Sequence, residues 1–412
     1  MDKICFLVCQ YGKEVNGGAE YHCKMLAERL VGDFQVDILT TKTINYHTFE
    51  PYYKNNQETI NGVNILRFDC IDYSAEEHGK WRKKTKFPRK VRRNLFRMGL
   101  LETAANMNHI WDMGIKNEEM LIKTHGFYSP DLLNYLEANK DSYKAIILMS
   151  YVYPHTIFGS RIAPEKTILI PTVHNEGDIF RSIQTHLFTS VKHIGFNTEE
   201  ERNLARKIFG NKMSESSILA VGIETEFENS ISKTEIQKKF TLPERYLHYF
   251  GRICNSKMDK LIPWFIRYKE KFPSNLKLVL TGRLFQEKVE HPDIIYTGFV
   301  TDEEKIALVK NATLIINPSR NESLSLLLLE AMKLGKTVLV NKKSDVMVGH
   351  AIRSDYAAEP YGNEKDFQEK IRKHLEHPEL NEESEIKAKN YVDEHYSWPI
   401  IMGRIKHLIS TI

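Results

Sequence analysis

The chain has 412 residues, 42% of them hydrophobic and 27% charged, with a formal net charge of +4. That is more chain than one hydrophobic core usually serves, so two domains are expected; no apolar run reaches the ~18 residues of a membrane-spanning helix. The mild net charge does not point to nucleic acid, and five scattered cysteines (Cys5, Cys9, Cys23, Cys70 and Cys254) show no zinc spacing and fit reduced core residues of a cytosolic protein.

Residues 4–9 (ICFLVC) are too short an apolar run for a secretory signal and read as a first buried strand. A polar loop over 11–16 follows, and Gly17-Gly18-Ala19-Glu20 opens a helix running to Leu30. Strand, glycine pair and helix can cradle a phosphate, because glycine lets a ligand approach the backbone; a plain tight turn has the same signature. Strands are expected over 35–39 and 62–68, separated by a polar insertion.

Residues 80–97 (KWRKKTKFPRKVRRNLFR) are the outlier, with ten Lys or Arg in eighteen positions. Pro88 suits a first helical turn, and Val91, Leu95, Met98 and Leu101 recur at helical spacing. A basic amphipathic helix carrying Lys83, Lys84, Arg89, Lys90, Arg92 and Arg93 suits an anionic membrane surface or a lipid-linked phosphate. A core-packed helix with a solvated basic face reads equally well, and nucleic acid is a third option.

Ser129 is an N-cap with Pro130 at the first helical position. Strands over 145–149 and 167–173 end at Tyr151-Val152-Tyr153 and at His174. The tyrosines can stack on a sugar face or serve packing, and an imidazole at a strand end can be structural or chemical. Thr198 and Glu201 have capping-box spacing for a helix to Gly210. A domain boundary is expected near Val221, after which 222–242 reads as linker and first helix.

In the second half, strands are expected over 247–251, 277–281, 294–300, 313–316 and 337–340. Gly251-Arg252 and then Lys257 stand at the end of the first of these. Gly298-Phe299 ends the third, and Thr301 with Glu304 caps the next helix. Pro318 to Glu322 is a polar loop, followed by Leu-rich helix formers to Leu334 and a Gly335 stop. Glu322 and Glu330 have seven residues between them; the bland account of Glu330 is an i,i+3 pair with Lys333. Residues 342–356 read as a loop, 366–377 and 383–395 as helices, and 398–412 as a last amphipathic helix. Alternating strands and helices argue for doubly wound parallel sheets.

The 317–341 stretch resembles the E-x7-E signature of retaining glycosyltransferases of the GT-B fold, most closely glycosyltransferase family 4. The resemblance implies two Rossmann-like domains, 1–221 on the acceptor side and 222–397 on the donor side, facing across a cleft, with 398–412 crossing back to the first. It implies that Glu330 binds the ribose of a nucleoside diphosphate sugar, that Glu322 lies by the donor sugar, and that the amides of Ser323, Leu324, Ser325 and Leu326 face sugar and diphosphate. Arg252 and Lys257, beside Gly251, would neutralise the diphosphate, Gly298 and Phe299 would hold the base, Gly17 and Gly18 would face the interdomain cleft, and His174 would stand near the donor sugar there as a catalytic candidate. Where the family usually has E-G-F-G, this chain has Glu322-Ser323-Leu324-Ser325. There is no D-x-D and no G-x-G-x-x-G, so neither metal nor other cofactor is expected.

By this resemblance the partners are a nucleotide-sugar donor, a glycan or lipid-linked acceptor near Tyr151 and Tyr153, and an anionic membrane surface through 80–97, with no nucleic acid. The setting is the cytoplasm, peripheral on the inner face of the plasma membrane, in surface-polysaccharide synthesis. A sugar-nucleotide epimerase on the same fold and a non-catalytic membrane- or glycan-binding subunit are the rival readings.

Overall fold

The structure is a computed structural model that describes residues 1–15, 17–107, 112–226 and 230–412. Asn16, which ends the expected 11–16 loop, and residues 227–229 of the expected linker lie outside the described residues. The chain forms two compact units, Met1–Val221 with Ile401–Ile412, and Gly222–Ile400.

In the first unit the order is β1 (Lys3–Leu7), α1 (Gly18–Leu30), β2 (Gln35–Thr41), β3 (Gln57–Ile60), β4 (Val63–Phe68), then α2 (Ala75–Lys84), α3 (Lys86–Arg97), α4 (Leu101–Met107), α5 (Ile115–Lys123) and α6 (Pro130–Asn139). It continues with β5 (Ala145–Met149), α7 (Pro154–Gly159), β6 (Thr167–Ile170), α8 (Ile183–Ser190), β7 (His193–Phe196), α9 (Glu199–Phe209) and β8 (Ser216–Ile218). The eight strands lie in the order β3-β4-β2-β1-β5-β6-β7-β8. β1 and β5 are buried along almost their whole length, as strands covered on both faces must be. β3 is the antiparallel exception and was read only as polar insertion. Asn61 (φ 49°) and Gly62 (φ 82°) make its turn into β4, the left-handed pair that a two-residue hairpin demands.

The basic stretch forms two helices, broken at Thr85, whose hydroxyl donates to the carbonyls of Trp81 and Arg82 at 3.1 and 3.2 Å. Such back-bonding competes with the helical ladder.

The second unit runs α10 (Lys233–Phe240), β9 (Tyr246–Phe250), α11 (Asn255–Met258), α12 (Leu261–Lys271), β10 (Lys277–Thr281), β11 (Ile294–Gly298), α13 (Asp302–Asn311), β12 (Leu314–Asn317), α14 (Leu326–Lys333), β13 (Val338–Asn341), α15 (Asp345–Arg353), β14 (Ala358–Tyr361), α16 (Glu364–Glu376) and α17 (Glu379–Tyr396). α18 (Trp398–Ser410) follows, and from Ile401 it belongs to the first unit. The six strands are all parallel, in the order β11-β10-β9-β12-β13-β14. Residues 342–356, expected as a loop, contain α15. Ser344 caps it by accepting from Met347 N at 3.4 Å, while Val346, Val348 and Gly349 weaken its helical signature.

Sequential strands reverse direction of travel across each sheet beside its first strand, between β1 and β5 in one unit and between β9 and β12 in the other. Loops at the carboxyl ends of such strand pairs diverge and leave a crevice, the usual ligand site of an open parallel sheet.

Candidate functional site

In the second unit the loops after β9 and β12 bring together two of the expected residues, Lys257 and Glu322. Lys257, on the short helix after β9, donates to Glu322 Oε1 at 2.7 Å and to the Asn321 carbonyl at 3.3 Å. The two side chains are 24% and 14% exposed, so the ion pair is screened less than a surface one. Arg252 is exposed and has no ion pair among the described residues; the Tyr249 hydroxyl fixes its turn by donating to its carbonyl at 2.9 Å. Arg320 pairs with Asp259 at 2.5 Å. Asn341, at the end of β13, donates to Asp259 and to the Pro318 carbonyl at 3.1 and 2.9 Å.

The loop after Glu322 is longer than the leucine run suggested, because α14 starts only at Leu326. Ser325, where the E-G-F-G resemblance leads one to expect glycine, holds φ 73° and ψ 78°. Its hydroxyl accepts from Asn317 Nδ2 at 2.7 Å and caps Leu328 N at 3.3 Å. Leu324 is buried, and its carbonyl accepts from His350 Nε2 at 2.9 Å. The N–H groups of Ser325 and Leu326 find no acceptor among the described residues, which leaves donors free at a helix start.

Glu330 is 8% exposed. Its partner is Lys305 of α13, whose ammonium lies 3.3 Å from Oε1 and 3.2 Å from Oε2; Lys333 pairs with Asp393 instead. Burial pushes the Glu330 carboxyl up, and Lys305 opposes that shift. A vicinal diol here would find a carboxylate whose charge is already balanced.

The ends of β9, β10 and β11 form a ledge of glycines. Gly251 N donates to Thr281 O and Gly282 N to Gly298 O, both at 2.9 Å. Gly251, Gly282 and Gly298 have φ of 137°, 131° and 72°, and a Cβ on Gly282 would lie 2.0 Å from the Gly251 carbonyl. Only glycine meets both demands, yet Gly282 was not singled out in the sequence. Beside the ledge is a cleft of about 590 Å³ lined by Arg283, Tyr296, Thr297, Gly298 and Phe299 among others, with Phe299 73% exposed. Beneath it His248 is wholly buried against Thr281 (2.9 Å), and burial lowers its imidazole to about 3.

In the first unit His174 is half-buried just beyond β6. Its neighbours are held by Glu201 of α9, whose carboxylate accepts from Val173 N at 2.5 Å and Asn197 N at 2.6 Å. Thr172 adopts φ 55°, a conformation costly for a β-branched residue and kept only where the surroundings enforce it. Gly17 is tight, since a Cβ would meet the Glu20 carboxylate at 1.7 Å; around Gly18 there is open space. Tyr151 is corrected as a sugar-stacking candidate: it is 1% exposed, and its hydroxyl donates to Glu176 at 2.7 Å. Tyr153 is half-buried among rings, stacked on His155 and edge-on to Phe127.

The basic stretch divides by burial. Arg92 is corrected as a surface contact: it is 0% exposed and donates to Thr185 at 3.1 Å. Arg89 is half-buried beside Asp178 at 3.7 Å. Lys83, Lys84 and Lys90 are exposed, as are Phe87 and Met98, while Arg93 is half-buried. No helix of the described residues is long and apolar enough to cross a membrane.

The chain resembles known proteins in sequence and in fold. Residues 232–391 match the family described as Glycosyl transferases group 1. The chain is 24% identical over 379 residues to an uncharacterized glycosyltransferase of Methanocaldococcus jannaschii, covering 84% of this chain and 82% of that one. Among solved structures it resembles sucrose-phosphate synthase from Thermosynechococcus elongatus (TM-score 0.70, 13% identity, 100% of this chain and 99% of that chain). It also resembles Anabaena HepE in complex with UDP and glucose (TM-score 0.67, 12% identity, 100% of both chains). The chain therefore has the GT-B fold, and its second unit carries the sequence pattern of the group 1 glycosyl transferases.

Proposed function

We propose that the protein is a retaining, metal-independent glycosyltransferase. It moves a sugar from a nucleoside diphosphate sugar to a hydroxyl of a glycan or lipid-linked glycan, in the synthesis of surface polysaccharide. The observation that carries the reading is the Lys257–Glu322 pair at the β9–β12 crevice, with the exposed Arg252 beside it. Two cations there stabilise the negative charge that builds on a departing diphosphate. Glu322 accepts from donor-sugar hydroxyls and Glu330 from the ribose diol.

The reaction breaks the bond from the anomeric carbon to the phosphate oxygen and forms one to the acceptor oxygen on the same face. The acceptor proton passes to the departing phosphate. UDP-sugars are the first donors to try, because the Anabaena relative is in complex with UDP and glucose. Lys83, Lys84 and Lys90, with Phe87, dock the protein peripherally on an anionic cytoplasmic leaflet.

Thermal unfolding against a panel of nucleotides and nucleotide sugars, with and without EDTA, tests the donor reading. A ligand that binds only the folded protein raises Tm as its concentration passes Kd. The expected result is a rise with one base, unchanged by EDTA and lost in Glu330→Ala. A flat response across the whole panel would sink the reading.

A further inference from the structure

The 322–326 loop is held from below by an imidazole that no expected role accounts for. His350 lies on α15 and is 0% exposed. Its Nε2 is 2.9 Å from the Leu324 carbonyl and its Nδ1 is 2.8 Å from the Tyr391 hydroxyl of α17. A carbonyl can only accept, so Nε2 carries the proton; Nδ1 is then the acceptor and Tyr391 the donor. Burial keeps the ring neutral, with its pKa lowered to about 3. The tautomer and the direction of the Tyr391–His350–Leu324 chain are thereby determined.

The consequence follows from the planarity of the peptide unit. In a trans peptide the C=O of one residue and the N–H of the next point in opposite directions. With the Leu324 carbonyl drawn inward to His350, the Ser325 N–H points away from the buried imidazole. That N–H has no acceptor among the described residues. Ser325 is itself tied through its hydroxyl, which accepts from Asn317, so hydrogen bonds hold the residues on both sides of the peptide.

We propose that His350 is a positioning residue: its hydrogen bond to the Leu324 carbonyl orients the Leu324–Ser325 peptide so that the Ser325 N–H is presented, preformed, to a diphosphate. This rests on the donor reading given above. Tyr391 acts one step further back, by setting the tautomer of the ring.

The test compares His350→Leu, His350→Gln and Tyr391→Phe in the full chain, each checked for cooperative unfolding. Glutamine keeps an N–H donor and an acceptor; leucine keeps neither. Hydrogen exchange of a peptide spanning 318–328, without ligand, is expected to speed up about ten-fold in His350→Leu, in line with loss of one buried hydrogen bond. It should stay near the native rate in His350→Gln and lie between them in Tyr391→Phe. UDP affinity, by calorimetry, is expected to weaken about ten-fold in His350→Leu and to recover in His350→Gln. Native exchange rates in folded His350→Leu and Tyr391→Phe overturn the assignment, as does native UDP affinity in His350→Leu. Exchange is read without nucleotide, so a native protein that binds no nucleoside diphosphate overturns the donor reading, while exchange still decides whether His350 positions the loop.

Discussion

Ser325 shows how a side chain can offset the cost of a left-handed backbone. A residue with a Cβ in the left-handed region costs about 1–2 kcal/mol, and the hydroxyl offsets this by accepting from Asn317 and capping Leu328. Ser325→Ala keeps the strain and loses both bonds, so a loss of about 2 kcal/mol is expected in urea unfolding. Ser325→Gly removes the strain along with the bonds and should lie within about 1 kcal/mol of the native protein. An alanine variant as stable as the native chain would show that the hydroxyl compensates nothing. Glu330 gives a second case. Lys305→Met strands a buried carboxylate, and a destabilisation on the order of 3 kcal/mol is expected, recovered in large part when Glu330→Gln is added. Additive losses in the double variant would dismiss the pairing. Glu322, Glu330 and Lys257 could be picked out because each belongs to a motif local in sequence, the first two along one loop and helix and the third just after β9. Lys305, Asn317, Asn341 and His350 could not, since their roles depend on which helices and strand ends the fold sets side by side.

At the scale of elements, a strand or helix could be read wherever its pattern was strong, as over 145–149, 277–281 and 398–410. β3 was lost because its burial is slight, and α15 because β-branched residues and a glycine dilute its periodicity. The basic stretch was legible as charge but not as geometry. Nothing local distinguishes Arg92, inside the unit, from Lys90, outside it. Charge reversal at Lys83, Lys84 and Lys90 should therefore abolish binding to vesicles containing phosphatidylserine while leaving Tm within a few degrees. Arg92→Ala should lower Tm instead. If the reversed protein still floats with anionic vesicles, the docking proposal fails. The β14–α16 junction supplies a pH test. Burial alone would raise the Glu359 carboxyl, but hydrogen bonds from His374 and Lys373 outweigh it and lower it from 4.5 to about 2. A carboxylate favoured in the folded state gives stability that is present above pH 4.5 and is lost as pH falls toward 2. Glu359→Gln should flatten the acid limb of a stability–pH profile in that window; an unchanged limb would place the titration elsewhere.

For the whole molecule, alternation of strands and helices was enough to indicate two parallel sheets, and the strand orders put each crevice beside a first strand. One other feature of the chain reaches beyond the finished protein. Residues 401–412 complete the first unit, yet the ribosome makes them only after all of 222–400. At about 5–20 residues per second, roughly ten to forty seconds pass between the emergence of Val221 and the arrival of Ile401, Ile405 and Ile409, each of which is wholly buried in the finished fold. Over that interval the nascent first unit lacks the residues that finish it. It is the period when a chaperone has most to hold, and a stalled or truncated message most to spoil.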